Sequence, residues 1–276
     1  MQNNLPLVSI LITLFNGKEF IRETLVSCLN QTYQNIEILI IDDASDDGGL
    51  MQIKDLVDKN KIKVIKNSKN FGFICSVNIG IENANGDYIL PLGQDDLLDS
   101  SHIDNIMPLF NPSVALVYTR SYRIDRFGKN YGIMKDYSHN QISNFRFSLH
   151  NCFHSCGLVM NKEKLIKAGS YLYNPRWRHY GEWHLWIRML NQGTILYCDK
   201  SISYYRQHDH NLSKQFSDKS NYKIYHQYSL ECMMLAKTIS KFSFHENLVF
   251  WLHYYKRIVK YQLYPIRNWV KHHNER

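Results

Sequence analysis

The chain predicts an α/β fold: a mostly parallel sheet flanked by helices, with a C-terminal helical extension. Three observations predict it. Through the first 100 residues, short near-continuous apolar runs alternate with segments of helical spacing, the mark of a parallel sheet covered on both faces. Two acidic pairs, Asp42-Asp43 and Asp95-Asp96, follow two of those runs, and such sheets bind ligands at the carboxyl ends of their strands. Beyond residue 216 two long helical segments follow and no strand-like run remains.

Taken in order, Val8–Ile12 reads as a buried strand, and Lys18–Asn30 as a helix with Phe20, Leu25, Cys28 and Leu29 on one face. Ile36–Ile41 is a second strand, stopped by the first acidic pair. Leu50–Lys59 reads as a helix, Ile62–Ile65 as a strand, Phe73–Asn83 as a helix and Tyr88–Leu92 as a fourth strand. The pattern then loosens. Helices are expected at His102–Phe110, Lys162–Ala168, Glu182–Asn191, Tyr222–Ser240 and Asn247–Tyr264. Strands are expected at Val114–Arg123, Gly157–Met160 and Ile195–Arg206.

Composition is that of a soluble globular protein, 44% hydrophobic and 21% charged over 276 residues. No run reaches the roughly 18 apolar residues that a membrane-spanning helix needs. Met1 to Pro6 lacks a basic region, which argues against a secretory signal. The six cysteines are scattered, as in a reduced cytosolic protein rather than a disulfide framework. The expected location is therefore cytoplasmic. The 19 Tyr, 13 Phe and 5 Trp suit grooves that stack on sugars or bases, and suit a packed core equally.

Four motifs carry the chemistry. The first joins Thr13-Leu14-Phe15-Asn16 after one strand to Asp42-Asp43-Ala44-Ser45-Asp46 after the next. A carboxylate there can accept from an imide N–H; it can equally cap a turn. The second is Asn70-Phe71-Gly72, with Gly86-Asp87-Tyr88 further on, and the third is Gln94-Asp95-Asp96. The fourth is Gly181-Glu182-Trp183, six residues before Arg188; an acid at a helix N-terminus also suits the helix dipole. Tyr205-Arg206-Gln207-His208, with Asn211 and Ser213, follows downstream.

In this order, over roughly Leu7 to Ser213, the motifs resemble glycosyltransferase family two, inverting nucleotide-sugar enzymes of the GT-A fold such as build bacterial surface polysaccharides. The resemblance implies a base pocket at Thr13, Phe15, Asn16 and Asp43, with Asp95 on the ribose and Asp96 on a divalent metal, Mn²⁺ or Mg²⁺. It further implies Glu182 as catalytic base, Arg206 at the phosphates, His208 at the metal or diphosphate, and His154 and Trp183 toward the acceptor. Three positions depart from the family pattern: Val77 replaces a basic residue, Gly93 an Asp, and Glu182 an Asp. Residues 1–100 are then the nucleotide-sugar half, 101–215 the acceptor half and 216–276 a basic helical extension. The implied donor is a UDP-sugar and the acceptor a lipid-linked or growing polysaccharide.

Other readings lack their residues. There is no Walker loop, no GxGxxG after a strand and no GxSxG elbow. A nucleotidyltransferase of related fold is the alternative enzyme; it needs a basic, Gly-rich loop that Thr13–Gly17 does not supply. His150, Cys152, His154 and Cys156 alternate at period two, but along a strand they spread over roughly 20 Å, too far for one zinc ion. A non-catalytic basic binder would interleave Lys and Arg with aromatics through the body. Here +6 of the net charge of +8 lies in residues 216–276. There Leu248, Trp251, Leu252, Tyr255 and Ile258 share a helix face. That face suits either an anionic membrane surface or packing on the body.

Overall fold

The computed structural model describes residues 5–60, 62–134, 144–176, 181–211 and 222–274; the expected Ser213 and the 215/216 boundary lie outside them. Four parallel strands form one half of the sheet: β1 (Val8–Leu14), β2 (Ile36–Asp42), β3 (Lys63–Lys66) and β4 (Tyr88–Gly93). The other half holds β5 (Leu97–Leu98), β6 (Val114–Ile124), β7 (Asn130–Ile133), β8 (Val159–Asn161) and β9 (Thr194–Arg206). The order is β3-β2-β1-β4-β8-β6-β9-β5, with β7 paired to β6. β8 runs antiparallel to both β4 and β6 and joins the halves, while β6 and β9 are parallel.

Side chains on the first strands alternate between two cores, as the two-residue period of a strand requires. Val8, Ile10, Ile12 and Leu14 face one core together with Ile21 and Leu25 of α1 (Ile21–Leu29). Leu11, Leu39 and Ile41 face the other, under Ile74, Val77 and Ile81 of α4 (Phe73–Asn83). Val77, where the family pattern has a basic residue, is thus a core side chain. The expected helix Leu50–Lys59 is two, α2 (Gly49–Gln52) and α3 (Lys54–Asn60), because Ile53 turns fully into the core between them. The helix expected at 102–110 shortens to α5 (His102–Ile106), and a 3₁₀ turn at Met107–Leu109 takes in Pro108. Sequence periodicity passes over α6 (Asn144–Leu149), β5 and β7, which are short. Residues 150–156 are irregular chain, so the period-two His and Cys series is not a strand.

The body closes with α7 (Lys162–Lys167) and α8 (Glu182–Leu190); α9 (Tyr222–Ile239) and α10 (Phe244–Asn274) form the extension. The extension packs on the body. Tyr228, Cys232, Met233 and Ala236 of α9 and Phe250 of α10 share one core with Trp183, Trp186 and Leu116. The opposite face of α10 leaves Leu248, Trp251, Leu252, Tyr255 and Val259 exposed. Ile258, expected on that stripe, is half-buried, and Val259 takes its place. Among the described residues no helix is long and apolar enough to cross a membrane.

Candidate active site

Strand order reverses between β1 and β4, and the loops leaving their carboxyl ends open there, the place where such sheets bind nucleotides. Two residues at these ends hold left-handed backbone, Asn16 (φ 49°) after β1 and Ala44 (φ 62°) after β2. Non-glycine residues adopt this conformation at a cost of roughly 1 kcal/mol or more, and only where their surroundings enforce it. The two loops enforce it on each other. Asn16 N–H donates to Ser45 Oγ at 3.1 Å, and Asp46 N–H donates to Asn16 Oδ1 at 3.0 Å. The Gln94 side-chain amide then ties the Phe15 backbone to the loop after β4, donating to its carbonyl and accepting its N–H.

The acidic pair at 42–43 divides its work. Asp42 accepts the Ser45 N–H, a turn. The Asp43 carboxylate reaches across to the chain before α4. It accepts from Asn67 Nδ2 at 2.8 Å, Phe71 N at 2.9 Å and Gly72 N at 2.8 Å. It is buried and organises the wall of the expected base pocket, and Oδ2, with one donor, keeps acceptor capacity. Phe15, just after β1, stands exposed.

At the end of β4 the second pair converges. Asp95 Oδ1 and Asp96 Oδ2 lie 2.9 and 3.0 Å from the point that a Cβ on Gly93 would occupy. Glycine leaves this space open, and an Asp at 93 would have to displace both carboxylates. Asp95 Oδ2 accepts from His208 Nε2 at 2.8 Å and Asn211 Nδ2 at 3.0 Å. Asp96 Oδ1 accepts the Arg206 N–H at 3.0 Å. Burial, then the charge of Asp95, pushes the Asp96 carboxyl well above the usual range. Two converging acid oxygens short of positive charge are a donor set that fits a hard divalent cation. No group of three or more His, Cys, Asp or Glu that could hold a metal gathers among the described residues. The remaining oxygens would have to come from diphosphate and water.

Two of the expected site residues are engaged within the protein. Arg206 does not face the site. Its side chain is fully buried: Nε donates to Asp95 O at 2.9 Å, Nη1 to Asp125 and Arg126 carbonyls, and Nη2 to Glu23 at 2.5 Å. The guanidinium also lies 5.0 Å from the Phe20 ring centroid. It ties α1, the β6–β7 turn and the acidic loop together, and its donors are spent on that. His208 likewise bonds to Asp95. Nδ1 takes the His210 N–H at 3.2 Å, and Nε2 lies 2.8 Å from Asp95 Oδ2. Arg206→Met is expected to lower Tm by about 2–12 °C, since the carbonyls of Asp95 and Arg126 lose their donor and an unsatisfied buried acceptor costs roughly 1–3 kcal/mol. Calorimetry checks this. An unchanged Tm with weakened nucleotide binding would return Arg206 to the phosphates.

Opposite the acidic loop stands Glu182, the first residue of α8. Gly181 precedes it where a Cβ would meet Ile74 Cδ1 at 3.1 Å. Burial pushes the Glu182 carboxyl above its ordinary value, and a hydrogen bond from Ser155 partly opposes the shift. Asp95, Asp96 and Glu182 line one cavity of about 400 Å³. His154 and Trp183 line it too. Burial and then Arg123 bring the His154 imidazole down to about 4, and its ring packs 4.4 Å from Tyr205. Trp183 presents only apolar surface, because its indole N–H donates to Phe147 O at 2.9 Å. Thr13, Phe15, Asn16, Asp43, Arg206 and His208 are not on this wall.

Residues the motifs did not single out complete the lining: Phe73 and Asn151, and Tyr225 and Tyr228 from α9. Tyr228 Oη also accepts the His184 N–H at 3.1 Å, capping the first turn of the helix that carries Glu182. An i, i+3 pair of tyrosines on a helix was legible; its return onto a cavity some forty residues upstream was not.

The chain matches glycosyl transferase family 2 over residues 9–169. It is 30% identical over 210 residues to the Escherichia coli UDP-Glc:alpha-D-GlcNAc-diphosphoundecaprenol beta-1,3-glucosyltransferase WfaP, with 76% of this chain and 80% of that protein aligned. It is 26% identical over 230 residues to an uncharacterized glycosyltransferase of Haemophilus influenzae, covering 79% of this chain and 71% of that one. It spans only 41% and 36% of two further relatives, from H. influenzae and Rickettsia felis. In fold it is similar to S. aureus TarS 1-349 in complex with UDP-GlcNAc, with TM-score 0.66 and 13% identity over 81% of this chain and 66% of that one. It is similar also to the Pyrobaculum calidifontis mannosyltransferase PcManGT in complex with GDP-Man and Mn²⁺, with TM-score 0.60 and 12% identity over 94% and 88% of the two chains. The fold is GT-A, and the chain belongs to glycosyl transferase family 2: it is a glycosyltransferase.

Proposed function

We propose that this glycosyltransferase moves a hexosyl or N-acetylhexosaminyl group from a UDP-sugar to a hydroxyl of a lipid-linked or growing surface polysaccharide, with inversion. The observation that carries the reading is the shared cavity: the acidic loop after β4 and Glu182 of α8 face it together. Thr13, Phe15, Asn16 and Asp43 hold the base, and Asp95 the ribose. Glu182 takes the proton of the acceptor hydroxyl as that oxygen bonds the anomeric carbon, and the bond to the diphosphate oxygen breaks. A divalent ion at Asp96 would supply neutralisation of the departing negative charge. One base without a protein nucleophile gives a single displacement, so an α-linked donor yields a β-linked product. His154 and Trp183 shape the acceptor side.

The donor class is supported by UDP-GlcNAc in the complex of TarS, and the lipid-linked acceptor by the name of the E. coli relative. A panel of nucleotide sugars with a bacterial lipid extract as acceptor tests the reading. Transfer from one donor, with thermal stabilisation by its nucleoside diphosphate plus Mn²⁺, is the expected result. Neither transfer nor stabilisation with any nucleotide would sink it.

The stripe on α10 fits a cytoplasmic enzyme that sits on the inner face of the membrane to reach its acceptor. Exposed Lys256 flanks the stripe, and Arg257 on the inner side packs 5.9 Å from the Trp183 ring centroid, beside the cavity. The triple substitution Trp251→Ser, Leu252→Ser, Tyr255→Ser is expected to weaken co-sedimentation with phosphatidylglycerol vesicles at least about tenfold. Unchanged partitioning removes the membrane from the proposal.

A further inference from the structure

Tyr171 stands out among the side chains of the cavity wall. It is 2% exposed, yet its hydroxyl has no hydrogen-bond partner among the described residues. A buried hydroxyl without a partner is a liability that phenylalanine at the same place would avoid.

The surroundings pin the ring from several sides. Ser170 before it holds left-handed backbone (φ 50°). Arg188 of α8 clamps that turn, donating to the carbonyls of Ala168 and Ser170. Asn78 of α4 grips the Tyr171 backbone in both directions. Its Nδ2 donates to Tyr171 O at 2.7 Å, and its Oδ1 accepts the Tyr171 N–H at 3.2 Å. The ring packs edge-on against Phe73, with centroids 5.9 Å apart, and against Trp186 at 6.2 Å. The cavity wall thus places Tyr171 with Glu182, and the phenol feels the Glu182 charge.

We infer that Tyr171 reads the sugar: its hydroxyl hydrogen-bonds a hydroxyl or amide group of the saccharide held beside Glu182. The inference rests on the glycosyl-transfer reading and adds a specificity-determining contact to it. A phenol both donates and accepts, so it suits a sugar hydroxyl or an N-acetyl carbonyl alike. A site built to bond such a group discriminates strongly against a sugar that lacks it.

Tyr171→Phe in the full chain tests this, since it removes one oxygen and keeps the packing. Tm is expected to hold or rise. The Kd of the nucleoside diphosphate with Mn²⁺ should stay within about twofold, while kcat/KM for transfer falls about 10- to 100-fold. The source of the contacted sugar shows in which constant moves. Weaker binding of the intact nucleotide sugar, with unchanged nucleoside diphosphate, assigns the contact to the donor. A raised acceptor KM with unchanged donor binding assigns it to the acceptor. A monodeoxy analogue lacking the contacted group should lose a similar factor on the wild type and little more on Y171F. Wild-type transfer matched by Y171F within twofold overturns this inference alone. A wild type that binds no nucleotide sugar overturns both readings.

Discussion

Glu182→Gln leaves nucleotide binding within about twofold of wild type and lowers transfer about 10²- to 10⁴-fold, the range that a positioned general base contributes. The expectation follows from how the side chain is held. Glu182 opens α8, with Tyr228 capping the next turn and Ser155 hydrogen-bonded to the carboxylate. Glutamine keeps the length and an acceptor oxygen for Ser155. It loses only the ability to take a proton, so KM for the donor should hold while kcat falls. Titrating the two proteins with donor and measuring single-turnover transfer separates the constants. Near-wild-type turnover would mean that another group is the base.

The same carboxyl sets a pH dependence. Burial raises its pKa above the ordinary value of 4.5, so between that value and its folded pKa the folded state holds more protons than the unfolded state. Stability therefore falls as pH rises through that window, and the ionised base that catalysis needs is the less stable form. The acidic limb of kcat/KM is expected above the usual glutamate range, and Glu182→Gln should remove the stability loss on this limb. A limb at the unshifted value would show that Glu182 is solvated when it acts.

Much of this site was legible because its key acids follow local rules. Asp95-Asp96 ends a buried apolar strand, and Glu182 begins an amphipathic helix; both boundaries come from period and composition alone. Helix α4 spans the expected Phe73–Asn83 for the same reason. What escaped was decided by long-range packing. Arg206 and His208 lie beside the acids in the fold, as the motif order implied. Yet which way each points depends on Glu23, Phe20 and the β6–β7 turn, and no spacing reports those partners. The basic charge and apolar stripe of residues 216–276 left membrane contact and packing on the body equally open. Helix α9 completes the cavity with Tyr225 and Tyr228, and its buried side builds the body's core with Cys232 and Met233.

Asp96→Ala should lower metal-dependent transfer on the order of 10³-fold or more, because charge neutralisation at a leaving diphosphate is worth several kcal/mol. It should also abolish the extra thermal stabilisation that Mn²⁺ adds to a nucleoside diphosphate. The fold should survive, because two changes oppose each other. The Arg206 N–H loses its acceptor, a penalty of about 1–3 kcal/mol. Against that, a buried acid beside Asp95 disappears, relieving the burial and repulsion that push its carboxyl up. Asp96→Asn separates the two: it keeps an oxygen for the Arg206 N–H and removes only the charge. If charge at this point is what catalysis needs, both variants should lose activity alike, while the Asn variant alone keeps the hydrogen bond and the higher Tm. If the Asn variant instead transfers sugar at the wild-type rate with the wild-type Mn²⁺ response, Asp96 only holds the β9 end in place. The cation would then have to sit on Asp95 and substrate oxygens without it.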